Sequence, residues 1–185
     1  GDLVAALNII ESHQKSWLSK SRRVDVQYFR AKAYEKMNLF DEALESYARI
    51  EKRLEGLKGT KEAKERKVFE YYPTFDEINL RQAVSHYAKG DKKQALSLLN
   101  KVKNISGLIL ESKNDFHFTL AQLSFESKNY EDALKTVNLV DPTSMVDPEK
   151  GEKFNVFLSE VYEKNGQFDK AISILEKFYE KFKGE

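Results

Sequence analysis

The chain has 185 residues, with 31 Lys+Arg against 30 Asp+Glu, and its formal net charge is +1 at pH 7. A charge this close to zero gives no general reason to expect a nucleic-acid partner. The content of 41% hydrophobic and 12% aromatic residues is enough to bury a core and argues against a disordered chain. The absence of cysteine excludes disulfides, thiolate metal sites and cysteine nucleophiles.

Hydrophobic periodicity and capping signals predict ten helices and no strand, so we expect an all-α protein. Pro73 precedes a Thr74-x-x-Glu77 capping box, and Pro148 stands in the first turn of a helix, so neither proline interrupts one. In chain order the predicted helices span roughly 2–18, 22–37, 40–54, 61–71, 74–89, 91–104, 114–127, 130–139, 149–164 and 168–182.

An internal repeat relates these helices to one another. Four anchor alanines are each followed by apolar residues one, four and seven positions later, which is the spacing of one helical face. Twelve residues before each anchor lies a small residue that lets a second helix approach closely. The anchors are Ala43, Ala95, Ala133 and Ala171, and the small residues are Ala31, Ala83, Ala121 and Ser159.

The small–aromatic–Ala–aromatic series Ala31, Tyr34, Ala43 and Tyr47 resembles the tetratricopeptide repeat family, and the turn at 89–91 is similar to that family's helix-to-helix turn. The resemblance implies a right-handed α-solenoid of antiparallel helix hairpins. We expect a single domain, 1–185, with an N-terminal half repeat and about four full repeats. The half repeat covers 1–20, the repeats about 22–55, 74–106, 112–142 and 149–183, and a basic insertion 55–72.

In such a stack the first helix of each pair lines a concave groove. Counting fifteen, eleven and eight residues back from each anchor predicts the groove-facing positions. The groove is then apolar and aromatic in its middle and charged at its ends. For Tyr87 and Phe125 the alternative is that they pack between helices and do not face the groove. The predicted residues are Tyr28, Lys32 and Glu35; Leu80, Val84 and Tyr87; Phe118, Gln122 and Phe125; and Val156, Glu160 and Glu163.

This composition suits a peptide or protein segment with apolar anchors. We find no phosphate-binding loop or nucleophile elbow, and the three histidines have no metal-ligand neighbours at helical spacing. The sequence therefore predicts a non-enzymatic interaction scaffold without cofactor or metal, serving a larger signalling or assembly protein. The apolar runs are shorter than the about 20 residues that span a bilayer, and no secretory signal is evident, so we expect no membrane association and a cytoplasmic location.

Two further features leave alternatives open. The insertion carries Lys58, Lys61, Lys64, Arg66 and Lys67, which form either a solvated helix surface or a docking patch for an acidic partner or RNA. No aromatic residues alternate with these lysines, which argues against RNA. Apolar residues at both ends of the stack predict either a fragment of a longer protein with an upstream domain, or a homodimer.

Overall fold

The computed structural model describes residues 3–13, 22–61, 73–144 and 148–182. It confirms the all-α class, since these ranges contain nine α-helices, two short 3₁₀ helices and no strand. The helices form two compact units, an N-terminal unit ending at Ile105 and a C-terminal unit beginning at Ser106. That the whole chain is a single domain stays a prediction.

The N-terminal unit consists of α1 (Leu3–His13), α2 (Arg22–Lys36), α3 (Phe40–Leu57), α4 (Phe75–Ala88) and α5 (Lys92–Leu99). The C-terminal unit consists of α6 (Leu110–Glu126), α7 (Tyr130–Val137), α8 (Pro148–Lys164) and α9 (Phe168–Phe182). Within the units α2 pairs with α3, α4 with α5, α6 with α7 and α8 with α9, as the repeat predicts. Successive pairs also pack on one another, through α3 and α4 and through α7 and α8.

The predicted anchor alanines are buried at the contacts within these pairs. Ala43, Ala95 and Ala133 have no accessible surface, and Ala171 is 7% exposed. The small residues twelve positions earlier are buried as well. Each pair therefore approaches closely at small side chains, and larger apolar residues fill the space on either side.

One backbone turn recurs in all four pairs. The residue five positions before each anchor has a positive φ angle, and the next amide N–H donates to the carbonyl five residues back at 2.9 Å. This is the Schellman ending of a helix, in which a left-handed residue reverses the chain. The left-handed residues are Asn38 (58°), Gly90 (85°), Lys128 (61°) and Gly166 (71°).

Several predicted helix ends are wrong. The helix predicted over 91–104 ends at Leu99, because the Asp76 carboxylate accepts hydrogen bonds from the backbone amides of Lys103 (2.8 Å) and Asn104 (3.0 Å) and holds them outside the helix. The helix predicted from 114 already begins at Leu110. The predicted helix 61–71 and the end of the predicted helix 2–18 lie outside the described residues, apart from Lys61.

Each unit has its own core, and the two cores differ in chemistry. The N-terminal core is mainly aliphatic and includes the phenol ring of Tyr47, whereas the C-terminal core contains two phenylalanines. The first consists of Val24, Ala31, Ala43, Tyr47, Ile50, Leu54 and Ile78; the second consists of Ala121, Ala133, Val137, Val140, Phe154, Phe157 and Val161.

Candidate functional site

The candidate site is an open groove between α6 and α8 of the C-terminal unit, with a cavity volume of about 500 Å³. A cavity of this size falls within the range of ligand-binding pockets. Within the described ranges, eight side chains line it: Phe118, Gln122, Glu149, Glu152, Lys153, Val156, Phe157 and Glu160. The groove therefore combines aromatic and aliphatic surface with a charged edge.

Packed aromatic rings form its floor. The rings of Phe118 and Phe157 meet edge-to-face with centroids 5.4 Å apart, and Phe118 meets Phe154 in the same way at 5.7 Å. Phe157 is 9% exposed, while Phe118 is half-buried and presents part of its ring to the groove. Because the contacts beneath hold these rings in place, the apolar surface exists before any ligand arrives.

Successive turns of α8 form one wall, with Glu152, Val156 and Glu160 four residues apart on the same face. The Val156 side chain is exposed, although it is apolar. The lining carries three glutamates and one lysine, and Lys153 donates to Glu149 at 2.7 Å. The groove therefore has an acidic edge above an apolar floor.

The structure brings together four residues that the repeat spacing assigns to the groove. Phe118 and Gln122 come from the third predicted repeat, and Val156 and Glu160 from the fourth. Phe125 instead packs edge-to-face on Tyr130 at 5.2 Å and on Phe157 at 5.4 Å, beneath the groove.

The spacing missed four lining residues, Glu149, Glu152, Lys153 and Phe157. A signal for Glu152 was present, because it lies one turn before Val156 on the same helical face. Phe157 directly follows Val156 and was therefore assigned to neither the groove nor its floor.

The predicted groove residues of the N-terminal unit have other surroundings. Leu80 has no accessible surface, so its assignment to the groove is wrong. The reason is that α4 is covered around its circumference, since every residue from 77 to 83 is buried. Lys32, Val84 and Tyr87 are half-buried.

Tyr28 is bound into a polar network between α2, α3 and α4. Its hydroxyl donates to Glu77 Oε1 at 2.5 Å, and burial together with the Glu77 carboxylate raises its pKa well above the ordinary value. Arg81, 1% exposed, donates to Glu77 Oε1 at 3.0 Å and to Glu35 Oε1 at 3.2 Å. Tyr47 donates to Glu35 Oε2 at 2.9 Å, and burial and Glu35 raise its pKa too.

This network stabilises the packing of α2, α3 and α4, and its polar groups bond to one another. Two carboxylates surround one guanidinium, and both phenols donate to those carboxylates, as buried charges require. Local spacing predicts only the Glu77–Arg81 pair, one helical turn apart. The rest of the network is not predicted, because Arg81 and Glu35 lie far apart in the chain.

The predicted basic patch is described only in part. Lys58 and Lys61 are exposed, and the Lys58 ammonium lies 4.1 Å from the centroid of the Phe75 ring, a cation–π contact. Lys64, Arg66 and Lys67 lie outside the described residues.

Metal ligands do not cluster in the parts of the chain that the structure describes, where no group of three or more histidine, aspartate or glutamate side chains is arranged to hold an ion. His86 Nδ1 lies 3.4 Å from Asp91, and partial burial lowers the pKa of His117. Over the same ranges, none of the helices combines the length and apolarity needed to cross a membrane.

Comparison with known families identifies two helix pairs. A family model described as "Tetratricopeptide repeat" matches residues 78–105, which include most of α4 and all of α5. A second model with the same description matches residues 153–180 in α8 and α9. No curated protein and no solved structure matches the chain.

Proposed function

Because the chain is a tetratricopeptide repeat protein, and such repeats generally mediate protein–protein interaction, we propose that it binds a peptide or protein segment in the groove between α6 and α8. The observation that supports this proposal is the groove itself, an apolar floor of packed rings beside an exposed valine. Proteins of this family are typically non-enzymatic scaffolds, and a non-enzymatic, cytoplasmic role in a signalling or assembly complex is part of the same proposal.

The groove can recognise a partner in two ways. Partly exposed aromatic surface at Phe118 offers the desolvated contact that dominates affinity at protein interfaces. The Gln122 amide is half-buried beside it and forms no hydrogen bond with another described residue, so it is able to bond a peptide backbone. Apolar contact gives affinity, and the amide and the carboxylates of α8 give orientation.

The test is a substitution that fills the groove without adding charge. Val156→Trp places a large ring where a ligand would lie, and Val156 is exposed enough for the helix to accept it. Leu139→Trp is the matched control, since Leu139 is 63% exposed in the same unit and lies outside the groove. Circular dichroism and thermal melting establish that both variants fold.

Affinity capture from lysate of the source cells then compares the three proteins at low and high salt. We expect a protein that wild type and Leu139→Trp retain at high salt and that Val156→Trp loses. If all three retain the same proteins, the groove is not the binding site. If only nucleic acid is retained, and only at low salt, the alternative of binding through the basic insertion replaces this proposal.

Self-association is a second candidate, favoured by an apolar stripe on α9. Phe168, Ile172 and Tyr179 are each more than half exposed, and Leu175 lies between them. A stripe of this kind is typical of an interface. Light scattering over a range of concentrations tests it, and Ile172→Glu should abolish any dimer that the wild-type chain forms.

A further inference from the structure

We propose that the segment bound in this groove is basic: an extended peptide with an apolar side chain over Phe118 and Phe157 and a lysine or arginine on each side of it. This inference rests on the function proposed above, because it assigns the chemistry of the ligand to the same groove.

The charge of the lining supports a basic ligand. Among the described lining residues the only cation is Lys153, which is already bound to Glu149 at 2.7 Å. Glu152 and Glu160 are both exposed, and neither forms an ion pair with any residue in the described ranges. An incoming cation therefore meets carboxylates that no lysine or arginine of the described chain neutralises. An acidic peptide or a nucleic acid would meet like charge at the same place.

The positions of these carboxylates set the spacing in the peptide. Glu152 and Glu160 lie two turns apart along α8, a separation of about 12 Å at about 1.5 Å per residue. An extended chain advances about 3.3 Å per residue, so two basic side chains about four positions apart reach both carboxylates. The residue midway between them then faces Val156, which is midway between the glutamates, with the aromatic floor beside it.

These contacts divide affinity and selectivity between two surfaces. The apolar residue excludes water from the aromatic floor, which provides most of the affinity. The basic residues pair with exposed carboxylates, so each contributes modestly and is weakened by salt. Their larger effect is discrimination, since an uncharged or acidic flank loses these pairs or is repelled.

The experiment is a selection from a phage-displayed library of random twelve-residue peptides on the immobilised full chain. Only peptides that bind wild type and Leu139→Trp but not Val156→Trp are scored, because their binding depends on the groove. Synthetic copies are then titrated against wild type and Glu152→Gln/Glu160→Gln. A Glu55→Gln/Glu176→Gln variant serves as the matched control, because it removes the same charge from exposed positions outside the groove.

We expect the scored peptides to carry lysine or arginine about four positions apart around an apolar residue. Their binding should weaken about threefold to tenfold in Glu152→Gln/Glu160→Gln and stay unchanged in the control variant. Scored peptides that are uncharged or acidic, or that bind the Glu152→Gln/Glu160→Gln variant as well as wild type, would overturn this inference and leave the proposed function standing. A selection that yields no groove-dependent peptide would overturn the proposed function, and this inference with it.

Discussion

The two units fill equivalent positions of the repeat with different side chains, which are polar and hydrogen-bonded in the N-terminal unit and aromatic in the C-terminal unit. Tyr28 and Phe118 occupy equivalent repeat positions, and so do Arg81 and Phe157, when each is counted from its anchor alanine. In the N-terminal unit these positions hold a hydrogen-bonded network around a buried guanidinium. In the C-terminal unit they hold two aromatic rings in edge-to-face contact at 5.4 Å.

This difference shows what the repeat determines and what it leaves open. Small residues at the anchors fix how closely the helices of a pair approach, and they are the same in both units. The side chains between successive pairs are free to be polar or aromatic, provided that polar groups are satisfied. In the N-terminal unit the polar groups bond to one another. In the C-terminal unit part of the aromatic ring surface faces the groove.

The largest expected effect comes from removing the buried cation. Arg81→Ala leaves Glu35 and Glu77 without their ion-pair partner, and we expect the free energy of unfolding to fall by about 3–5 kcal/mol. Hydrogen exchange measured by mass spectrometry should show the loss of protection in α2–α4. The triple variant Arg81→Met/Glu35→Gln/Glu77→Gln should recover most of the loss, since no charge then remains buried. A loss below about 1 kcal/mol for Arg81→Ala would contradict this account of the network.

The equivalent change in the C-terminal unit acts through packing alone. Phe157→Ala removes a ring that is 9% exposed and contacts both Phe118 and Phe125. We expect a loss of about 3–5 kcal/mol from the lost contact and the cavity left behind. Phe157→Leu, the conservative control, should cost less than about 1.5 kcal/mol. Urea denaturation measures both variants, and equal losses for the two would show that the ring contacts do not carry the packing.

Alkaline pH should act on the polar interface, because it contains two tyrosines, Tyr28 and Tyr47, with raised pKa. Burial holds Tyr28 and Tyr47 protonated in the folded chain above pH 10, where the unfolded chain ionises. Their contribution is complete below pH 10 and is lost as the pH rises, by up to about 1.4 kcal/mol per pH unit for each tyrosine. Urea denaturation between pH 9 and pH 11.5 measures the slope. The Tyr28→Phe/Tyr47→Phe variant should show a shallower dependence, and an unchanged slope would argue against the raised pKa values.

The turns provide a smaller contrast. Lys128 adopts a left-handed conformation that a lysine side chain disfavours, whereas Gly90 occupies the equivalent turn without that cost. We expect Lys128→Gly to raise the stability by about 0.5–1 kcal/mol. Asn38→Gly is the control and should change stability less, because asparagine tolerates this conformation better. Thermal melting measures both, and a destabilised Lys128→Gly would show that its side chain has another role.

The smallest effect is expected in mild acid. Partial burial lowers the pKa of His117, so the unfolded chain takes up a proton first as the pH falls below about 6.5. Its contribution to stability is present above that pH and is lost below it. The loss should stay under about 0.5 kcal/mol, because solvent screens a half-exposed ring. His117→Gln should remove this part of the pH dependence between pH 7 and pH 5, as measured by urea denaturation.

The sequence predicted the features that depend on local spacing. Alanines at equivalent offsets identified the buried faces. Phe118, Gln122, Val156 and Glu160, which the offsets assign to a groove, line one cavity in the structure. The network around Arg81 was missed because most of its contacts, such as Arg81 with Glu35 and Tyr28 with Glu77, join residues far apart in the chain. A single arginine within a helix has the same local pattern as a solvated one.

The assignment of Leu80 failed for a related reason. The offset rule treats every first helix as half-exposed, whereas α4 is buried over seven consecutive residues. How many neighbours surround a helix depends on tertiary packing, and a rule based on period alone does not contain that information.

The recurring left-handed turn has a consequence for biosynthesis. The turn joins the two helices of a pair through only a few residues, so little loop-closure entropy opposes their pairing. Folding is therefore expected to be fast. A pair takes seconds to synthesise at about 5–20 residues per second, far longer than helix formation requires. Each pair can therefore fold as it leaves the ribosome. Within each unit, the first pair then offers its exposed side to the second pair, through α3 and α4 in one unit and through α7 and α8 in the other.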